Sequence, residues 1–174
     1  PVVTVSGGTT AFTEGADAAS TPVVVAVAIT VTDQDSTGLA SATVSIAAHF
    51  QSGQDVLAFT NDGSTMGDIS GSYDPGMGVL ELTSSFPYAT LAQWQQALRA
   101  VTYLNSSDTP GTSTRTVLFV VRDSGLSPGA GTRSLSVTAA NDSPVATVPA
   151  SIALTVDVAG ALTGISFGDV DAGS

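Results

Sequence analysis

The chain has 174 residues, enough for one domain with a real core plus a remainder too short to fold alone. Hydrophobic residues make up 43% of it, which argues against disorder, while the charged fraction of 11% is less than half of the roughly 25% usual in globular domains. Fifteen acidic residues face four arginines and no lysine, a formal charge of −11 that disfavours nucleic acid and anionic membranes as partners and attracts cations.

Most segments alternate apolar and polar residues with period two, the pattern of half-buried strands. In chain order the predicted strands are 2–5, 11–13, 23–31, 42–47, 56–60, 69–73, 79–83, 101–105, 116–122 and 133–139. The longest, 23–31, would set Val25, Val27, Ile29 and Val31 on one face. Turn signals lie between them at Asn61-Asp62-Gly63, Asp74-Pro75-Gly76, Thr109-Pro110-Gly111 and Ser127-Pro128-Gly129. Short strands at this spacing predict an all-β antiparallel sandwich. One segment departs from the period: Thr90-Leu91-Ala92-Gln93 is a capping-box pattern, and Leu91, Trp94, Ala97, Leu98 and Val101 recur at helical spacing. The pattern predicts one short helix over about 90–100, some three turns long, capped by Thr90 and laid across one end of the sandwich with Trp94 and Leu98 in the core.

The pattern then restarts. Pro144-Val145-Ala146-Thr147-Val148 repeats Pro1-Val2-Val3-Thr4-Val5 at an offset of 143, and Glu14 meets Asp157 at the same offset. Asp33-Gln34-Asp35 meets Asp169-Val170-Asp171 at an offset of 136, so the second copy is seven residues shorter in between. Repetition of this length signals tandem units. The expected organisation is a complete unit over 1–143, a joint at Asn141-Asp142-Ser143-Pro144, and the opening of a second unit over 144–174, with strands at 152–156 and 162–167. Such an opening is either the first part of an incomplete repeat or a segment completed by a neighbouring chain through strand addition.

A string of motifs carries a family likeness: Thr13-Glu14-Gly15-Ala16-Asp17, Val31-Thr32-Asp33-Gln34-Asp35, Asp55-Val56-Leu57-Ala58-Phe59-Thr60, Gly78-Val79-Leu80-Glu81-Leu82, Ala97 to Asn105, Phe119-Val120-Val121-Arg122-Asp123 and Asn141-Asp142-Ser143-Pro144. Together they resemble the bacterial cadherin-like tandem repeats of large surface and repeats-in-toxin adhesins, over residues 1 to about 143 and again from 144. The resemblance implies an extracellular, calcium-rigidified, cadherin/Ig-like β-sandwich that serves as stalk or adhesive segment of a surface protein or filament. Its implied partners are adjacent repeats of the same polypeptide or neighbouring copies head to tail, with a cell-surface or matrix ligand as a further candidate, and no nucleic acid or inserted membrane.

The acids themselves suit Ca²⁺, a hard ion that takes six to eight oxygens. Asp33 and Asp35 are two carboxylates on one side of an extended segment, which repel each other unless neutralised. Asp123 and the pair Asn141 and Asp142 end strands, and with Glu14 they form the expected site; Asp157, Asp169 and Asp171 are the matching positions of the second copy. Asp62, Asp74 and Asp108, beside Gly or Pro or between turn residues, read instead as turn residues. No cysteine is present, so metal is the available staple. An EF-hand is excluded because Val44 stands where the bidentate Glu belongs.

Enzyme chemistry finds little purchase. Gly125-Leu126-Ser127-Pro128-Gly129 fits G-x-S-x-G, but a predicted strand rather than a helix follows, and His49 is the sole histidine. A glycan-binding module is the alternative from another class, with Phe50, Tyr73, Phe86, Tyr88 and Tyr103 as stacking candidates, and a self-assembling fibre subunit using 144–174 is a third.

Overall fold

A computed structural model describes residues 1–85, 87–125 and 128–172. Phe86, Leu126 and Ser127 lie outside the described residues, so the stacking reading of Phe86 and the serine of G-x-S-x-G have no structural counterpart here.

The period-two segments form two facing sheets. The larger is ordered β2 (Thr9–Thr13), β11 (Pro128–Thr138), β10 (Arg115–Arg122), β5 (Ser41–Ala48), β8 (Val79–Thr83) and β7 (Ser70–Asp74). The smaller is β3 (Val23–Val24), β9 (Thr102–Asn105) and β6 (Asp55–Ala58). A separate pair joins β1 (Val2–Thr4) to β4 (Thr30–Thr32). Alternate residues of the central strands point inward: Val117, Phe119 and Val121 of β10, Val44 and Ile46 of β5, and Leu57 and Tyr103 from the opposite sheet are buried in one core. Phe12 of β2 meets Tyr103 of β9 edge to face at 5.2 Å, bridging the two sheets.

Two strand expectations change. The run 23–31 is not one strand: β3 pairs with β9 (Val23 with Tyr103), a turn closes with Ile29 N donating to Ala26 O, and the chain re-emerges as β4 beside β1. The turn rotates Val27 into solvent, 68% exposed, while Val25, Ile29 and Val31 stay buried. The sandwich is also not wholly antiparallel, because β2 lies parallel to β11 over Ser134↔Thr9 to Thr138↔Thr13.

The helix α1 (Leu91–Arg99) forms with the predicted reciprocal cap: Gln93 N donates to Thr90 Oγ1 and Thr90 N to Gln93 Oε1. Trp94, Ala97 and Leu98 are its buried face, and Trp94 Nε1 donates to Leu39 O at 2.8 Å.

Past the joint, the strands expected at 152–156 and 162–167 are replaced by a pair of short ones, β12 (Val145–Thr147) and β13 (Ser166–Gly168). Their register is Val145↔Gly168, Ala146↔Phe167 and Thr147↔Ser166. In the first unit β1 and β4 pair as Val2↔Thr32, Val3↔Val31 and Thr4↔Thr30. Adding 143 to the first member and 136 to the second converts each pair into its counterpart, so the two copies share one pairing scheme. They differ in cover. Val3, Ile29 and Val31 are buried, Val3 lying so close to Gly131 of β11 that a Cβ there would sit 3.1 Å from its Cγ1. Their counterparts Ala146, Ile165 and Phe167 are exposed, Phe167 by 79%.

Candidate metal centres

The antiparallel pairing of β10 with β11 decides where the acids go. Asp123 follows β10 at the end where Arg122 meets Pro128, while Asn141 and Asp142 follow the other end of β11. An 11-residue strand separates these ends by about 35 Å at ~3.3 Å per residue. The candidates Glu14, Asp33, Asp35, Asp123, Asn141 and Asp142, whose sharing of ions the sequence leaves open, therefore divide between the two ends.

The first group is Asp33, Asp35 and Asp123, with one carboxylate oxygen from each mutually within 4.8 Å. Asp33 and Asp35 follow β4, and Asp35 N donates to Asp33 Oδ1 at 3.3 Å. The hydrogen bond between the two carboxylates moves them apart in acidity: Asp33 is lowered to about 2, and Asp35 is raised from its ordinary value, chiefly by its bond to Asp33 and then by Asp33's charge. Asp33 Oδ2 is buried and meets no side-chain or backbone donor, its one near neighbour of opposite charge being the Pro1 nitrogen at 3.1 Å.

The second group, at the joint, is Glu14, Asp108 and Asp142, again within 4.8 Å. Glu14 extends the parallel ladder, donating its N–H to Thr138 O, and its Oε2 accepts from Ala140 N at 2.7 Å. Asp142 is 7% exposed. Its Oδ1 accepts from Asp17 N at 2.5 Å, its own N–H donates to Asp171 Oδ2 at 3.3 Å, and its Oδ2 is buried with no partner. An open cavity of about 590 Å³ adjoins the group, bordered by Asp17, Asp108, Asp142, Ser143, Val145 and Gly168.

Asp62 and Asp74 do close turns, accepting from Ser64 N and Thr65 N, and from Gly76 N and Met77 N. Asp108 does not follow that reading. Asn105 Oδ1 and Ser107 Oγ accept the turn's N–H groups, from Ser107 and Thr109, and the Asp108 carboxylate faces Glu14 and Asp142. Of the other sequence-derived ligands, Asn141 is exposed and donates its amide to Asp142 O. Asp171 reaches the joint through Asp142, and Asp169 Oδ1 accepts from Asp171 N, its carboxyl raised by a side-chain hydrogen bond with Asp171. Asp157 is exposed and belongs to neither group.

The donor sets fit Ca²⁺. Oxygens bound at 2.3–2.6 Å on opposite sides of one ion lie about 5 Å apart, which accommodates the spacing of both groups. A carboxylate of purely structural role looks different in this fold. Buried Asp55 accepts from Tyr103 Oη, Asn105 Nδ2, Gln51 N and both Nε and Nη2 of buried Arg115, so neither of its oxygens is left over. Burying an acceptor without a partner costs about 1–3 kcal/mol, more when it is charged, which makes Asp33 Oδ2 and Asp142 Oδ2, one in each acidic group, the exceptions among the described residues.

The other residues weighed from the sequence are placed as follows. His49, with a left-handed backbone (φ 57), bonds Thr114 O through Nδ1, and β11 begins at Pro128 where an elbow would need a helix. Tyr103 is in the core, Phe50 and Tyr73 pack against it, and Tyr88 is half-buried. Among the described residues no helix is long and apolar enough to cross a membrane.

Comparison with protein-family models, curated proteins and solved structures gave no match.

Proposed function

We propose that the chain is a non-enzymatic structural module of an extracellular surface protein, one unit of a tandem array whose joints are made rigid by Ca²⁺. The observation that carries this reading is the buried, unpartnered Oδ2 of Asp142, set among Glu14 and Asp108 at the point where the repeated pattern restarts. The common register of the β1–β4 and β12–β13 pairs supports the tandem arrangement. The ion's work is neutralisation. It turns mutually repelling carboxylates from β2, the 106–114 loop and the segment after β11 into one bridge, and Asp171 brings the second copy to the same place. Repetition extends the logic to the far end: Asp33 and Asp35, the counterparts of Asp169 and Asp171, are poised to serve the joint with a preceding unit.

Calorimetric titration of the chelator-treated protein with CaCl₂ tests this. Saturable binding is expected, reduced by Asp142→Ala at the joint and separately by Asp33→Ala at the other end. Absence of binding at millimolar Ca²⁺ would overturn it.

A further inference from the structure

Asp17 lies outside the ligand set read from the sequence, yet it makes the most elaborate contact at the joint. Its backbone is left-handed (φ 54), a conformation that Asp tolerates better than most residues. The turn that holds it there is tight. Ala18 N donates to Gly15 O and Gly15 N to Ser20 Oγ, and a Cβ on Gly15 would sit 2.6 Å from Ala18 O. From this position Asp17 N donates to Asp142 Oδ1, while its own carboxylate accepts from Ser143 N and Ser143 Oγ, both at 2.7 Å. The clasp is reciprocal, and it reaches from the turn after β2 to the two residues that precede Pro144.

Two consequences follow from the geometry. With Oδ1 of Asp142 fixed by the Asp17 amide, the carboxylate cannot rotate, and the unpartnered Oδ2 is the oxygen left for Glu14 and Asp108 to share an ion with. With Ser143 fixed by the Asp17 carboxylate, the chain's direction out of the joint is tied to the same turn. We propose that Asp17 is a positioning residue for the joint cation, not a ligand, and that its clasp on Asp142 and Ser143 couples ion binding to the path of the chain into the second copy. The proposal rests on the cation reading given above. Partners that orient metal ligands typically contribute about 10–100-fold to affinity.

The test is calorimetric titration with CaCl₂ of the full chain and four variants, with the ion-free melting temperature of each. Asp17→Ala is expected to weaken joint-site affinity at least about tenfold. Asp17→Asn, which keeps an acceptor for Ser143 N and the same backbone tolerance, should recover most of that loss although it removes the charge. Ser143→Ala, approaching the clasp from its other side, should weaken binding in the same direction with little change in the ion-free melting temperature. Equal losses for Asp17→Asn and Asp17→Ala would show that the charge itself binds the ion, overturning the positioning role. Unchanged affinity in Asp17→Ala and Ser143→Ala would overturn it as well. If the parent chain binds no Ca²⁺, or if Asp142→Ala leaves its binding unchanged, the cation reading falls with it; if Asp142→Ala removes the joint component of the parent's binding, only the role of Asp17 is at stake.

Discussion

At the scale of single residues, the chain treats carboxylates in two ways. Asp55 is surrounded by donors, and burial together with the hydrogen bond to Asp55 pushes the Tyr103 phenol well above its ordinary value. The Asp33 and Asp35 carboxylates instead face each other. Asp35 titrates above its unfolded value of about 3.9. Its contribution therefore favours the fold below that value and is lost as pH rises through the folded pKa. Asp33 has the opposite sign, contributing above its unfolded pKa until pH falls through about 2. At neutral pH the ion-free pair thus carries unrelieved repulsion at Asp35. Asp35→Asn should raise the melting temperature of the ion-free protein at pH 7, with the difference narrowing as pH falls and the parent's Asp35 takes up its proton. The same variant should respond less to Ca²⁺. A variant less stable than its parent in chelator would contradict this account. The pairing of Asp33 with Asp35 was legible because two residues apart in extended backbone means one face. Asp108 was not, because its neighbours read as turn chemistry and only the fold shows that Asn105 and Ser107 perform it.

At the scale of elements, local signals sufficed where they were redundant. The helix announces itself through both cap and stripe, and Trp94 sits where the stripe places it. Trp94→Ala should cost about 3–5 kcal/mol in a denaturant melt, from the cavity together with the Leu39 carbonyl left without its donor. Trp94→Phe should retain much of that; equal costs would mean that the cavity term is absent. The run 23–31 misled because alternation is identical for one long strand and for two short ones separated by a turn that preserves parity. Val25, Ile29 and Val31 are buried in either arrangement, and only exposed Val27 distinguishes them. The parallel β2–β11 pair was invisible for a different reason, since period two says nothing about a strand's direction.

At the scale of the whole molecule, the proposed repeat organises the rest. A restart at Pro144 could be read from five residues, and the offsets of 143 and 136 reappear as the register of β12 with β13. The distribution of the acids could not be read that way, because it depends on the antiparallel pairing of β10 with β11 that sends Asp123 and Asp142 to opposite ends. The arrangement places an acidic group at each end of the sandwich and leaves Ala146, Ile165 and Phe167 uncovered beyond it. A chain of −11 charge that gathers carboxylates at its joint is stabilised by whatever cation binds there and not to the unfolded state. The measurement that bears most directly on this is the thermal unfolding of the intact chain by calorimetry, in CaCl₂ and in excess EDTA. A higher melting temperature in calcium, rising with its concentration and lost on chelation, is the predicted result; superimposable melts in the two conditions would contradict the account.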